Sequence, residues 1–220
     1  LQKRISQVSS WFEAVQADGR VRGRVITNGA ITGRMSHHSP NMAQVPSSSS
    51  EYGTECRELW TVDKGKRLVG TDASGIELRM LAHYMQDVRY IKTVCEGKQE
   101  DGTDVHTMNM KAAGLTSRNQ AKTFIYAFLY GAGPGKIGAI IGGSSTEGHH
   151  LMKRFLRNTP ALEHLRDEVV IPASKKGWVR GLDGRHIIVR SEHAALNSLL
   201  QGEGAIIMKK ALVILHERLK

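Results

Sequence analysis

The stretch SRNQAKTFIYAFLYGAG, Ser117–Gly133, writes two patterns onto one helix. At about 100° per residue, Ala121, Phe124, Ile125, Phe128 and Leu129 fall on a single apolar stripe. Steps of four residues advance by only about 40°, so Arg118, Lys122, Tyr126 and Tyr130 form a slowly turning polar row beside that stripe. The spacing predicts a helix over about 118–130 with one face in a core. Gly131 reads as the helix stop, where glycine permits a left-handed turn and the close approach of another chain.

Arg118 and Lys122 stand near the helix N-terminus, where the helix dipole also favours anions. A guanidinium, an ammonium and a phenol in one row suit a triphosphate lying along the helix. A solvated basic flank with two boundary tyrosines gives the same spacing. The glycines that follow do not form a P-loop: Gly133-Pro134-Gly135-Lys136 is followed by Ile137 rather than Ser or Thr, which excludes an ATPase of that type.

Outward from this helix, KRLVGTDASGIELRMLAHYM changes period. Arg67–Thr71 reads as a short buried strand, and Ser74 as the start of a helix with Glu77 as capping-box partner. Ile76, Met80, Leu81 and Tyr84 line one face of that helix. Asp72, between strand and helix, is placed to reach a metal or substrate, or equally to make helix-entry turn bonds. Further helical patterns run over Val105–Ala113, around His149–Asn158, after Pro160, and from His193 to Lys220. His106 opens the first of these. His193, Asn197 and Gln201 form another row at steps of four, able to meet base or sugar acceptors or simply water. Asn28-Gly29 between β-branched flanks signals a type I′ hairpin, and Leu182-Asp183-Gly184 a second hairpin. Residues 1–20 read as a helical remnant and Ser47–Ser50 as a loop. Clustered helices with hairpins imply an α+β class rather than an alternating parallel sheet.

The 220 residues carry 31 Lys+Arg against 21 Asp+Glu, a net charge of +10, which favours a polyanionic partner. Two distant cysteines, Cys56 and Cys95, argue against a disulfide framework or zinc site. His37-His38 and His149-His150 lack metal-ligand spacing and read as solvated. No apolar run reaches the ~20 residues of a membrane span. A first residue other than Met and a last residue inside a helical pattern read as a piece of a longer protein.

Six blocks, in order, resemble the family A DNA polymerases, and more closely the replicative branch of T7-like phages. TDASGIELRMLAHYM is similar to the family's motif A and RNQAKTFIYAFLYGAG to its motif B; TNGAITGRMSHHSPNMAQVP, DVHT, GLDGR and HAALNSLLQGEGA match further blocks. The resemblance covers essentially the whole chain. It implies a partial polymerase right hand: the end of the thumb over 1–33, the first part of the palm over 34–86, mainly helical fingers over 87–190, and a returning palm helix over 191–220.

The resemblance further implies template-directed addition of dNTPs to a primer 3′ end with two Mg²⁺ ions. Asp72 would ligate these, with the Ala73 carbonyl on one of them. Glu77 would block the sugar 2′ position, and Arg118, Lys122 and His106 would hold the triphosphate. Tyr126 would pack near the incoming sugar, with Tyr130 and Gly131 by the template. Arg34 and Gln201 would contact the minor groove, with His193 and Asn197 near the primer–template. The family's second metal-binding aspartate has no counterpart here. His216-Glu217 lies on a helical pattern and lacks the Asp, so the chain is expected not to polymerise alone and to need a C-terminal palm segment as partner. A processivity factor, where one binds, would act through thumb sequence upstream. The implied setting is the cytoplasm of a phage-infected bacterial cell, with no membrane partner. The alternatives are a single-subunit RNA polymerase, against which Glu77 argues, and a non-catalytic basic module that binds nucleic acid.

Overall fold

The computed structural model describes residues 2–220. They divide into two compact units, one ending at Ala73 and one running from Ser74 to Lys220.

The first unit begins with α1 (Gln2–Glu13), then a hairpin of β1 (Arg24–Ile26) and β2 (Ser36–His38), a 3₁₀ turn at Met42–Gln44, and α2 (Gly53–Glu58). Trp11 and Trp60 meet edge to face at 5.3 Å, and Trp11 and Cys56 are buried. The β1–β2 pairing is antiparallel, with Arg24 opposite His38 and Ile26 opposite Ser36. The chain does reverse near Asn28-Gly29, but not in a type I′ turn, which needs positive φ at both central residues. Neither residue has it. Instead, residues 27–35 make successive turns, closed by Gly29 N–H to the Ile26 carbonyl (3.3 Å), Gly33 N–H to the Ala30 carbonyl (2.8 Å) and Ala30 N–H to the Arg34 carbonyl (3.1 Å). The expected strand at Arg67–Thr71 is also absent. The segment has no regular structure, and Leu68 and Val69 are 76% and 83% exposed. An apolar run becomes a strand only when another strand takes up its backbone groups, and no described residue does so here.

The second unit holds α3 (Ile76–Met85), α4 (Val88–Glu96), α5 (Val105–Ala113), α6 (Arg118–Leu129), α7 (Pro134–Ile140), α8 (Ser145–Arg157) and α9 (Pro160–His164). A wide π-helical turn, Leu165–Val170, leads into α10 (Ile171–Ser174). That widening precedes Pro172, which has no N–H to return to the preceding turn. The β3–β4 hairpin (Trp178–Arg180 and His186–Ile188) and the long α11 (Glu192–Arg218) complete the unit. The class is α+β, with the described strands confined to two separate two-stranded sheets.

The core is built around α6. Ala121, Phe124, Ile125, Phe128 and Leu129 are all buried, as the stripe requires. Phe155 of α8 packs edge-on to both Phe124 (5.1 Å) and Phe128 (5.5 Å). On α3 the buried residues are Leu78, Leu81, Ala82 and Met85, so the core face is turned from the expected one: Met80 and Tyr84 stand at its margin and Ile76 is half-buried. The helix also starts later than expected. Gly75 in a left-handed conformation is its N-cap with no side-chain bond, and the Ser74–Glu77 capping box is not formed. The glycine-rich segment after α6 folds as the helix α7, with Gly133 as its N-cap and Pro134 in its first turn.

The β3–β4 hairpin follows the sequence expectation, with Gly184 at φ +83° in its turn. Its tip is tied to α11 by a residue that composition does not single out. Glu203 is fully buried, and its two carboxylate oxygens accept from the Leu182 amide at 3.0 and 3.1 Å. Burial raises its pKa, while the Leu182 amide and the neighbouring Tyr84 hydroxyl oppose that rise. Replacing Glu203 with Ala should therefore lower unfolding free energy by about 1–3 kcal/mol, through the lost acceptor and the space left. Glu203→Gln, which keeps an acceptor, should cost less. Denaturant unfolding of both variants checks this, and equal losses would mean the charge itself is what matters.

Candidate functional site

Arg34, Asp72 and Ala73 belong to the first unit. Arg34 and Asp72 are exposed, and Asp72-Ala73 lie in irregular chain. A cavity of about 670 Å³ in that unit, lined by Trp11, Trp60, Arg20 and Arg22 among others, contains none of the residues singled out from the sequence.

The remaining candidates belong to the second unit, where the N-termini of α5 and α6 come together. Ser117 caps α6 by accepting from the Gln120 amide at 3.4 Å. Asp104 caps α5, accepting from the His106 amide at 3.0 Å and the Thr107 hydroxyl at 2.6 Å. The same carboxylate receives Arg118: Nη2 at 2.8 Å and Nε at 3.2 Å from each oxygen. Asp104 is buried, which by itself raises its pKa. Hydrogen bonds from Arg118, Thr107 and the His106 amide, with the Arg118 charge, outweigh burial and hold it at about 2.

His106 is half-buried, and its ring lies 6.1 Å from that of Tyr126. Burial first, then the Arg118 charge, lowers its pKa. Lys122 adds to that shift and Asp104 opposes it. Arg118 and Lys122 therefore both act on one imidazole, which stays neutral and can accept or donate at neutral pH. Its Nδ1 is enclosed and has no hydrogen-bond partner among the described residues.

The row continues along α6. Lys122 is exposed and Tyr126 half-buried, and the Tyr126 and Tyr130 rings are 6.4 Å apart. Tyr130 donates its hydroxyl to Oε1 of Glu77 on α3 at 3.4 Å. Burial, and then the Glu77 charge, raise the Tyr126 pKa. Glu77 is thus a partner of the α6 tyrosines rather than a helix cap. The row is positive at its N-terminal end and meets a carboxylate at the other.

Gly131 ends α6 as expected, at φ +76°. Its N–H bonds to the Phe128 carbonyl at 3.0 Å and the Ala132 N–H to the Ala127 carbonyl at 2.9 Å, the Schellman pattern. A Cβ there would lie 2.3 Å from the His193 carbonyl oxygen, so the chain that approaches closely is α11. On α11, His193 is exposed while Asn197 and Gln201 are half-buried. The Asn197 Oδ1 is enclosed without a partner among the described residues.

The model of DNA polymerase family A matches residues 1–220. The chain belongs to the family A DNA polymerases. It is 43% identical to the DNA-directed DNA polymerases of Enterobacteria phage T3 and Escherichia phage T7, over 100% of its own length and 34% of theirs. The chain thus spans about a third of the length of these curated relatives. Among solved structures it is similar to the POL domain of Pol1 from M. smegmatis, described in complex with DNA primer-template and dNTP. That likeness has a TM-score of 0.80 and 24% identity over 94% of this chain and 39% of that one. It shows that the fold is shared.

Two buried carboxylates of this family A chain, Asp104 in the site and Glu203 beneath the β3–β4 hairpin, were not legible in the sequence. Asp104 carried a local sign, since an Asp directly before a helical pattern is an N-cap candidate. Its pairing with Arg118, 14 residues away, carried none. Because its pKa is lowered, its contribution to stability is complete above its ordinary 3.8 and is lost as pH falls through about 2. Acidification from pH 5 to pH 2 should therefore destabilise the native chain more than an Asp104→Asn variant. Parallel acid unfolding curves would contradict this.

Proposed function

We propose that this chain is the nucleotide-binding part of a template-directed DNA polymerase, comprising the end of a thumb (1–33), part of a palm (34–86 and 191–220) and the fingers (87–190). The observation that carries the reading is the α6 row. Arg118, Lys122 and neutral His106 meet at the paired N-termini of α5 and α6, half-buried Tyr126 follows along α6 with its ring 6.1 Å from that of His106, and Glu77 closes the far end through Tyr130. Family membership supports it, as does the fold shared with a polymerase domain solved with primer-template and dNTP.

On this reading, Arg118, Lys122 and His106 bind the triphosphate, which needs positioning and charge neutralisation more than covalent chemistry. Lys122, exposed and unencumbered by burial, serves the reacting phosphate. Tyr126 packs on the incoming sugar. Glu77, held by Tyr130, occupies the space a 2′-hydroxyl would need and selects deoxynucleotides. Tyr130 and Gly131 face the template. Arg34 and Gln201 contact minor-groove acceptors, which all correct pairs share, so they check shape without reading sequence. His193 and Asn197 lie along primer–template.

The donors offered to Mg²⁺ are of the right kind. Asp72 supplies an exposed carboxylate and Ala73 a carbonyl in irregular chain, both hard oxygen ligands, and Mg²⁺ is commonly held by one or two carboxylates plus substrate phosphates. Two such ions, when bound, would activate the primer 3′ hydroxyl and stabilise the leaving pyrophosphate. Among the described residues no cluster of three or more His, Cys, Asp or Glu could hold a metal. The proposal assigns the second bridging carboxylate to no residue of this chain; His216 and Glu217 are exposed on α11 and are not substitutes. These 220 residues therefore bind substrates without extending a primer by themselves. Relatives from phages T3 and T7 support a setting in the infected bacterial cytoplasm. No described helix is long and apolar enough to cross a membrane.

In a polymerase containing this sequence, Lys122→Ala should slow nucleotide addition by about 100-fold, the scale of one lost transition-state donor. Primer-template affinity should change little. Single-turnover extension and equilibrium DNA binding, measured side by side, decide it. Comparable losses in both would place Lys122 on DNA instead.

A further inference from the structure

Asp104 makes more contacts than a helix cap requires. An N-cap needs one acceptor for an amide of the first turn, and Asn or Ser supplies that as well as Asp. Asp104 also holds the Thr107 hydroxyl and three Arg118 contacts, with its side chain only 10% exposed. The Arg118 bonds use Nε and Nη2, which leaves the Nη1 hydrogens of the planar fork for another acceptor. One carboxylate thus joins α6, through Arg118, to the turn of α5 that carries His106.

We propose that Asp104 is a positioning residue for the nucleotide: its carboxylate presets the Arg118 guanidinium relative to His106, so that both meet one triphosphate. The inference rests on the assignment of Arg118 and His106 to that triphosphate. Arginine is long and loses much rotamer freedom when it binds a ligand. Held by Asp104, it has already lost that freedom before the nucleotide arrives. A competing effect has the opposite sign. A carboxylate beside an anion site repels the anion, so if Asp104 merely neutralised Arg118, its removal would strengthen triphosphate binding. A third possibility, a staple that only stabilises the helix pair, would affect all nucleotides alike.

The sign of one ratio separates these cases. dATP and dAMP are titrated into the 220-residue chain at low salt in EDTA, so that side chains alone hold the phosphates, and melting temperature is recorded in parallel. The variants are Asp104→Asn, Asp104→Ser and Arg118→Ala; the first two retain an N-cap acceptor. The proposal expects each variant to lower the dATP-to-dAMP affinity ratio by about tenfold, the size of one lost charge-assisted hydrogen bond. A lowered ratio in Arg118→Ala with an unchanged or raised ratio in both Asp104 variants overturns the positioning role and leaves the triphosphate assignment standing. Proportional loss of dATP and dAMP with a falling melting temperature also overturns it, in favour of a staple. An unchanged ratio in Arg118→Ala, or a chain that does not prefer dATP, overturns the triphosphate assignment and this inference with it.

Discussion

The edge-on packing of Phe155 against Phe124 and Phe128 fixes the roll of α6, and the candidate site depends on that roll. Both Phe124 and Phe155 are fully buried, so the helix has no freedom to turn its apolar stripe elsewhere. With the stripe fixed, geometry dictates where residues four apart must stand: along the margin of the core, half-buried or exposed. Close packing of the interior makes this a stiff arrangement. The Schellman stop at Gly131, and the His193 carbonyl lodged where a side chain would be, hold the C-terminal end in the same way.

Electrostatics then works on a fixed frame. The site sets two cations, Arg118 and Lys122, against two carboxylates, Asp104 and Glu77, and these charges are not held alike. Arg118 is held by a buried carboxylate, His106 is kept neutral by burial and by its cationic neighbours, and Lys122 is left exposed. Glu77, at the other end, is engaged by a tyrosine hydroxyl. Such a graded row can distinguish the charged end of a ligand from its neutral end, which a uniformly basic surface cannot do.

Features that depend on neighbours close in sequence were legible. The stripe on α6, the bounds of α5, the α11 pattern, the Gly131 stop and the Leu182-Asp183-Gly184 turn follow from periodicity or local backbone preference, and each has its structural counterpart. Features that depend on a distant partner were not. The Arg67–Thr71 run has the composition of a strand but no described strand beside it. Glu77 has the spacing of a capping box, yet a tyrosine 53 residues away takes its carboxylate. Asn28-Gly29 is a strong hairpin signal, but the close approach of Gly29 to Ser36 and two successive turns set a longer loop. Asp104 and Glu203 act through Arg118 and Leu182, and no local pattern encodes either pairing. The polar row itself could be read as an anion site or a wet flank, and the ordered family blocks, not the row, favoured the first.

The central claim is that the paired N-termini of α5 and α6 form the nucleotide-binding face. Amide hydrogen exchange on the 220-residue chain, with and without a saturating dNTP, tests it directly. The account predicts slowed exchange in the first turns of α5 and α6, around Asp104–Thr107 and Arg118–Lys122, with the β1–β2 hairpin unchanged. Protection confined to other segments, with none at those two turns, would contradict it.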